Sequence, residues 1–213
     1  MVGTLFSAEH LPIGISCKND IVNEEELNEW WSERCTPANR EGFKQLFYSM
    51  NMNVRRNILT RCMGLSLSDQ YWIKPANSDI KWSEVNFFEN TFPEDMGKLL
   101  FGEIRSKPSL NLFSPDNTTD GCLKKRWKII DGKRCLIKAG TPPFHQQAFN
   151  EIIAAKIMSR LGIRHVPYSL IWRKNEPYSV CEDFITHETE LVSANQVCLQ
   201  ESFRSCLRRC GYT

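Results

Sequence analysis

The sequence predicts an α+β chain. A small helical N-terminal module covers residues 1–105, an antiparallel sheet with one helix covers 106–192, and a tail covers 193–213. Three observations predict it. Short segments with large aromatic residues at helical spacing fill the first hundred residues. Residues 113–184 then run strand, strand, helix, strand, strand, the order of an antiparallel α+β sheet and not of a doubly wound one. Asp131-Gly132, between two apolar runs, is the strongest short hairpin-turn signal in the chain.

Residues 1–22 read as extended or turning around Leu11-Pro12-Ile13-Gly14-Ile15. Asn23 is placed to cap a helix, and Glu24, Glu25 and Glu26 put negative charge in its first turn, where the helix dipole favours it. Leu27, Trp30 and Trp31 give that helix an apolar side, and Pro37 ends it. A second helix is predicted over 39–50 from the spacing of Phe43, Leu46 and Phe47, and a third over 54–63, stopped by Gly64. Residues 65–75 read as a turn, with Asp69 and Lys74 in it, leading into a packed Tyr71-Trp72 pair. Residues 83–88 fit helix or loop equally. A helix over 93–101 opens with Pro93 and acids. The polar stretch between about 102 and 110, with Pro108, marks the boundary of the module.

Beyond it, residues 114–121 concentrate turn formers. Strands are predicted over 122–130 and 134–138, a helix over 147–161 ended by Gly162, and strands over 166–172 and 177–184 joined at Lys174-Asn175.

Composition excludes several classes. The chain carries 27 Lys and Arg against 25 Asp and Glu, a net charge of +2, and the basic residues are dispersed, so no direct nucleic-acid contact is expected. The densest cluster, Lys124, Lys125, Arg126 and Lys128 around Trp127, suits a strand with one solvated face. Nine cysteines without a CxxC pair, and a first ten residues unlike a secretion signal, point to reduced thiols in a cytoplasmic protein. No run approaches the ~18 apolar residues of a membrane span. The four histidines are scattered without metal spacing, Cys198, Cys206 and Cys210 fit no usual zinc pattern, and no GxSxG elbow is present.

One lysine stands where lysine is unexpected. Lys138 ends the apolar strand Arg134-Cys135-Leu136-Ile137-Lys138, and a buried strand tolerates a charge only when it is paired. At helical spacing Glu151 falls on the side of Ala148, Ala155 and Met158, away from Lys156 and Arg160. A carboxylate on the inward side of a helix, following a strand that ends in lysine, is an arrangement that holds a lysine against phosphates. The pair is therefore expected within salt-bridge distance. An ordinary, partly exposed Lys and Glu satisfy the spacing as well. Residues 114–121 offer a matching cradle, because Asn117, Thr118, Thr119 and Gly121 carry donors of the kind that hold phosphate oxygens. A plain surface turn has the same composition.

The segments SPDNTTDGCLKKRWKI, GKRCLIKAG, NEIIAAKIMSRLGI and PYSVCEDF, spread over about residues 111–192, resemble the HipA-like kinase family. These are bacterial serine/threonine kinases, several of them toxins of toxin–antitoxin pairs. The resemblance implies the smaller, nucleotide-gripping lobe of a kinase. It makes 114–121 the phosphate loop, Lys138 the lysine on ATP phosphates and Glu151 the residue that positions it. Glu182 and Phe184 then flank the hinge beside the adenine. It implies ATP with Mg²⁺, held weakly or not at all by this lobe alone. Its partners would be a protein substrate or antitoxin-like protein, and a separately encoded second lobe. That second lobe would supply the catalytic Asp and the metal-binding Asn and Asp. After Asp183 the chain contains no aspartate. The expectation is a truncated kinase, inactive alone, or a non-catalytic pseudokinase-type binding module.

Overall fold

The computed structural model describes residues 5–40, 54–104, 110–194 and 196–197. The predicted helix over 39–50 beyond Arg40, the boundary residues 105–109 and the tail from 198 lie outside them.

The Asn23 side chain does what its position dictates. Its Oδ1 accepts from the Glu25 N–H at 3.0 Å and the Glu26 N–H at 3.3 Å, and α1 follows over Glu24–Glu33. Just before it, where the sequence suggests only an extended segment, Cys17–Lys18 (β1) and Ile21–Val22 (β2) form a small hairpin. Asn19 and Asp20 make its turn in the left-handed region. Helix α2 spans Val54–Arg61. The chain after it turns through Gly64, where a Cβ would lie 2.5 Å from the Trp31 ring, so only glycine lets α1 and this turn pack together. Two short helices follow, α3 over Trp82–Val85 and α4 over Asp95–Leu100.

The sheet has four antiparallel strands. They are β3 (Lys125–Ile130), β4 (Lys133–Ala139), β5 (Ser169–Arg173) and β6 (Glu176–Glu182), in the order β3-β4-β6-β5. Helix α5, Gln146–Arg160, links β4 to β5. Both hairpins turn on residue pairs with positive φ, Asp131-Gly132 and Lys174-Asn175. The first turn fixes Ile130 opposite Lys133 and so the register of every pair behind it. The α+β architecture is thus the one the hairpin and strand pattern predict.

Period two gives the sheet two different faces. On one face Cys135, Ile137, Ala139, Tyr178 and Val180 pack around Phe101 from the end of α4. On the other, Trp127 packs with Leu65, Leu67, Phe87 and Phe92, and Leu136 and Ile129 lean on the same cluster. The helical segment therefore clamps the β3 edge from both sides. Arg134 ties the far end of the clamp, donating to the carbonyls of Phe87 and Asn90. Phe87 is fully buried, and its burial contributes about 2–3 kcal/mol. The stretch 102–110 thus joins two segments that share their cores and does not separate packing units. No strand of a solvated face exists at 124–128 either: Arg126 and Trp127 are buried and Lys125 and Lys128 half-buried.

Candidate functional site

On the Trp127 side of the sheet a cavity of about 520 Å³ opens between the strands, α5 and the loop 119–121. Lys138 reaches it from β4. Its Nζ lies 2.7 Å from Glu151 Oε1 on α5 and 2.6 Å from the Tyr168 hydroxyl just before β5. The helix places Glu151 there because Ala148 and Ala155, on the same side, are the residues α5 buries against the sheet. Burial would lower the Lys138 pKa, but the hydrogen bonds to Glu151 and Tyr168 outweigh it and hold the ammonium above the ordinary lysine range. The expected pair is formed.

Sequence reasoning missed the second lysine. Register places Lys125 of β3 directly opposite Lys138, and both line the cavity. Like charges facing each other across a ladder are unfavourable. Burial, then Arg40, then Lys138 push the Lys125 amine down to about 8. The carbonyls of 119–121 answer these cations. Lys125 Nζ donates to Asp120 O at 2.6 Å, Arg40 Nε to Gly121 O at 2.8 Å, and Arg40 Nη2 to Thr119 O. Arg40 is itself buried. The signal was present in the sequence: a hairpin turning at 131–132 pairs positions whose numbers sum to 263, and 125 pairs with 138.

The predicted cradle divides. Thr119 and Gly121 line the cavity. Asn117 and Thr118 do not. Asn117 is fully buried and its Nδ2 donates to Leu112 O, while Thr118 Oγ1 donates to Leu65 O at 2.9 Å. The Thr118 side chain stitches the 3₁₀ turn Pro115–Thr118 to the helical segment, and the Asn117 side chain ties it to the stretch just before it. Thr119 Oγ1 likewise donates to Pro115 O and accepts from Trp127 Nε1. Of the predicted cradle, only the end of the loop faces the cavity.

At the other end of the cavity, β6 runs out through Glu182, Asp183 and Phe184, which line it. The Glu182 carboxylate accepts from Lys133 Nζ at 2.7 Å, and Phe184 is half exposed at the rim. Asp183 fastens this segment: its backbone N–H donates to Arg134 O at 2.7 Å and its Oδ1 accepts from the Ile185 N–H at 3.1 Å. Burial pushes its carboxyl up to about 6, against the hydrogen bonds it accepts from the Ile185 and Phe184 N–H groups. Between the cationic end and this segment lie the apolar surfaces of Trp127, Leu136, Ala155 and Met158. The cavity thus offers two cations at one end, an apolar middle, and the exit of β6 at the other.

A second cavity, about 610 Å³, adjoins it through Ser68, Asp120 and Leu191. Of the charged residues lining it, Arg34 and Asp69 pair at 2.8 Å, and Asp69 also accepts from the Tyr71 N–H in the turn at 65–75. Among the described residues no group of three His, Cys, Asp or Glu side chains is placed to hold a metal ion. No helix among them is long and apolar enough to cross a membrane.

No family model, curated protein or solved structure matches this chain.

Proposed function

We propose that this chain is the nucleotide-gripping lobe of a HipA-like protein serine/threonine kinase, acting in the cytoplasm. The observation that carries the reading is the Lys138–Glu151 pair, 2.7 Å apart, at the cationic end of a cavity whose far end is an exposed strand exit. A nucleoside triphosphate matches that polarity. Its phosphates meet Lys138 and Lys125, its base lies on Trp127 and Leu136, and its polar edge reaches the backbone at 182–184. Mg²⁺ accompanying ATP would neutralise phosphate charge. No described residue is assigned to it, so its ligands would come from a second lobe. That lobe would also orient the hydroxyl of a protein substrate, and an antitoxin-like protein is the corresponding regulatory partner.

Titration calorimetry with Mg-ATP tests the reading. Weak binding is expected in the unaltered chain, and Lys138→Ala abolishes it. Equal binding by both removes Lys138 from the site.

A second reading, a non-catalytic module that binds nucleotide or a partner protein, is favoured by one observation. The Lys138 ammonium is already held by Glu151 and Tyr168 in the cavity, a setting that suits binding without transfer. Phosphotransfer assays with a second lobe added separate the two.

A further inference from the structure

Lys138 has three N–H bonds to give. One goes to Glu151 and a second to Tyr168, at 2.7 and 2.6 Å, which leaves the third for the cavity the side chain lines. Glu151 alone holds an ammonium at one point and leaves it free to swing about that bond. A second anchor on a different element removes this freedom. Tyr168 is well built for that task. Its hydroxyl lies 2.6 Å from Lys138 Nζ and its ring centroid 4.8 Å away, so the ammonium sits beyond the hydroxyl end of the ring and is held by the phenolic oxygen. Burial pushes the phenol up to about 12, which keeps it neutral. A neutral acceptor fixes direction without cancelling the positive charge, as a second carboxylate would.

We propose that Tyr168 is a positioning residue that, together with Glu151, aims the Lys138 ammonium at the phosphates of a bound nucleotide. The proposal rests on the nucleotide reading above. It assigns the division of labour: Glu151 supplies charge and Tyr168 supplies direction. Phosphate-bearing ligands then feel Tyr168 and a bare nucleoside does not.

The test compares Mg-ATP and adenosine binding in the unaltered chain and in Tyr168→Phe, with Tyr168→Met as a second apolar replacement should the first not fold. Tyr168→Phe keeps the ring and loses only the acceptor. Mg-ATP affinity is expected to fall about tenfold, the loss of one hydrogen bond to a charged group, while adenosine affinity stays unchanged. The Lys138 side chain, followed by carbon-13 NMR at Cε, should titrate at lower pH in the variant. Unchanged Mg-ATP binding in Tyr168→Phe overturns the proposal and leaves the nucleotide reading intact. A parallel loss of adenosine also overturns it, because it makes Tyr168 a determinant of cavity shape. If the unaltered chain binds no Mg-ATP, the nucleotide reading fails, and the proposal's claim on phosphates fails with it. The Lys138 titration then shows only whether Tyr168 orients the ammonium.

Discussion

Lys125 and Lys138 face each other directly across the β3–β4 pair, with no acid between them in the ladder. The arrangement costs the empty protein and favours a polyanion that neutralises both. The Lys125 amine is pushed down to about 8 against 10.5 for an ordinary lysine, by burial first and then by Arg40 and Lys138. Because the folded-state value lies below the unfolded one, the unfolded chain holds the extra proton between those pH values. On this group's account, stability rises with pH from about 8 to 10.5, and the penalty is fully present below 8. Lys125→Met should therefore raise the melting temperature at pH 7, by about 1 kcal/mol or roughly 2–4 °C after allowance for partial exposure. The gain should vanish near pH 11. In the unaltered chain Mg-ATP binding should weaken as pH passes 8. Thermal melts across this pH range, with no gain from Lys125→Met at pH 7, would disprove it.

The Lys138–Glu151 pair is partly exposed, 21% and 36% for the two side chains. A double-mutant cycle with Lys138→Met and Glu151→Gln should give a coupling energy of about 0.5–1 kcal/mol in urea melts. The same cycle read in Mg-ATP affinity should couple more strongly, since a ligand phosphate excludes water from the pair. Equal coupling in both readouts would make the pair purely structural.

Gly97 on α4 lies against the sheet so closely that a Cβ there would come within 2.6 Å of Asp116 Oδ2 and 3.1 Å of Arg126 Cβ. Asp116 is buried and accepts from the Trp127 N–H at 2.8 Å, so it has little room to yield. Gly97→Ala should destabilise the protein by about 1–3 kcal/mol, an overpacking cost. A chemical melt showing Gly97→Ala as stable as the unaltered chain would contradict this packing.

Alone, the chain should show no phosphotransfer to itself or to a generic protein substrate in a labelled-ATP assay. Positioning and charge stabilisation supply most of the rate in such reactions. On the proposed reading Lys138 would grip phosphates but would neither bind metal nor orient a hydroxyl. Transfer that disappears in Lys138→Ala would overturn the expectation. Transfer appearing only with an added second lobe would identify a split kinase.

Local chemistry made much of this fold readable. Asp131-Gly132 announced its hairpin, Asn23 its helix, and the helical spacing of Ala148, Glu151 and Ala155 the carboxylate that meets Lys138. What stayed hidden depended on distant partners. Asn117 and Thr118 look like ligand donors until Leu112 and Leu65 claim them. Tyr168 reads as a strand residue, because nothing nearby in sequence reveals that Lys138, 30 positions away, will meet it. The clamp on β3 was equally invisible, since Phe101 and Phe87 carry the same apolar signal whether they pack on their own helices or across a sheet.

That clamp has a consequence for synthesis. Thr36 donates through its N–H to Asn117 O and through Oγ1 to Asp116 O, a partner 80 residues further along. The Leu65, Leu67 and Phe87 cluster likewise waits for Trp127. A nascent chain that has emerged through its first hundred residues can gather Cys35, Leu59, Met96, Leu99 and Leu100, but the Leu65, Leu67 and Phe87 cluster stays without Trp127, and long-range pairing of this kind is slow to form. The apolar side of Leu65, Leu67, Phe87 and Phe92 stays uncovered until the β3–β4 hairpin brings Trp127, and chains in that state are prone to aggregate or to need a chaperone. Slow translation through residues 65–125 should lower the soluble yield more than slow translation after residue 140.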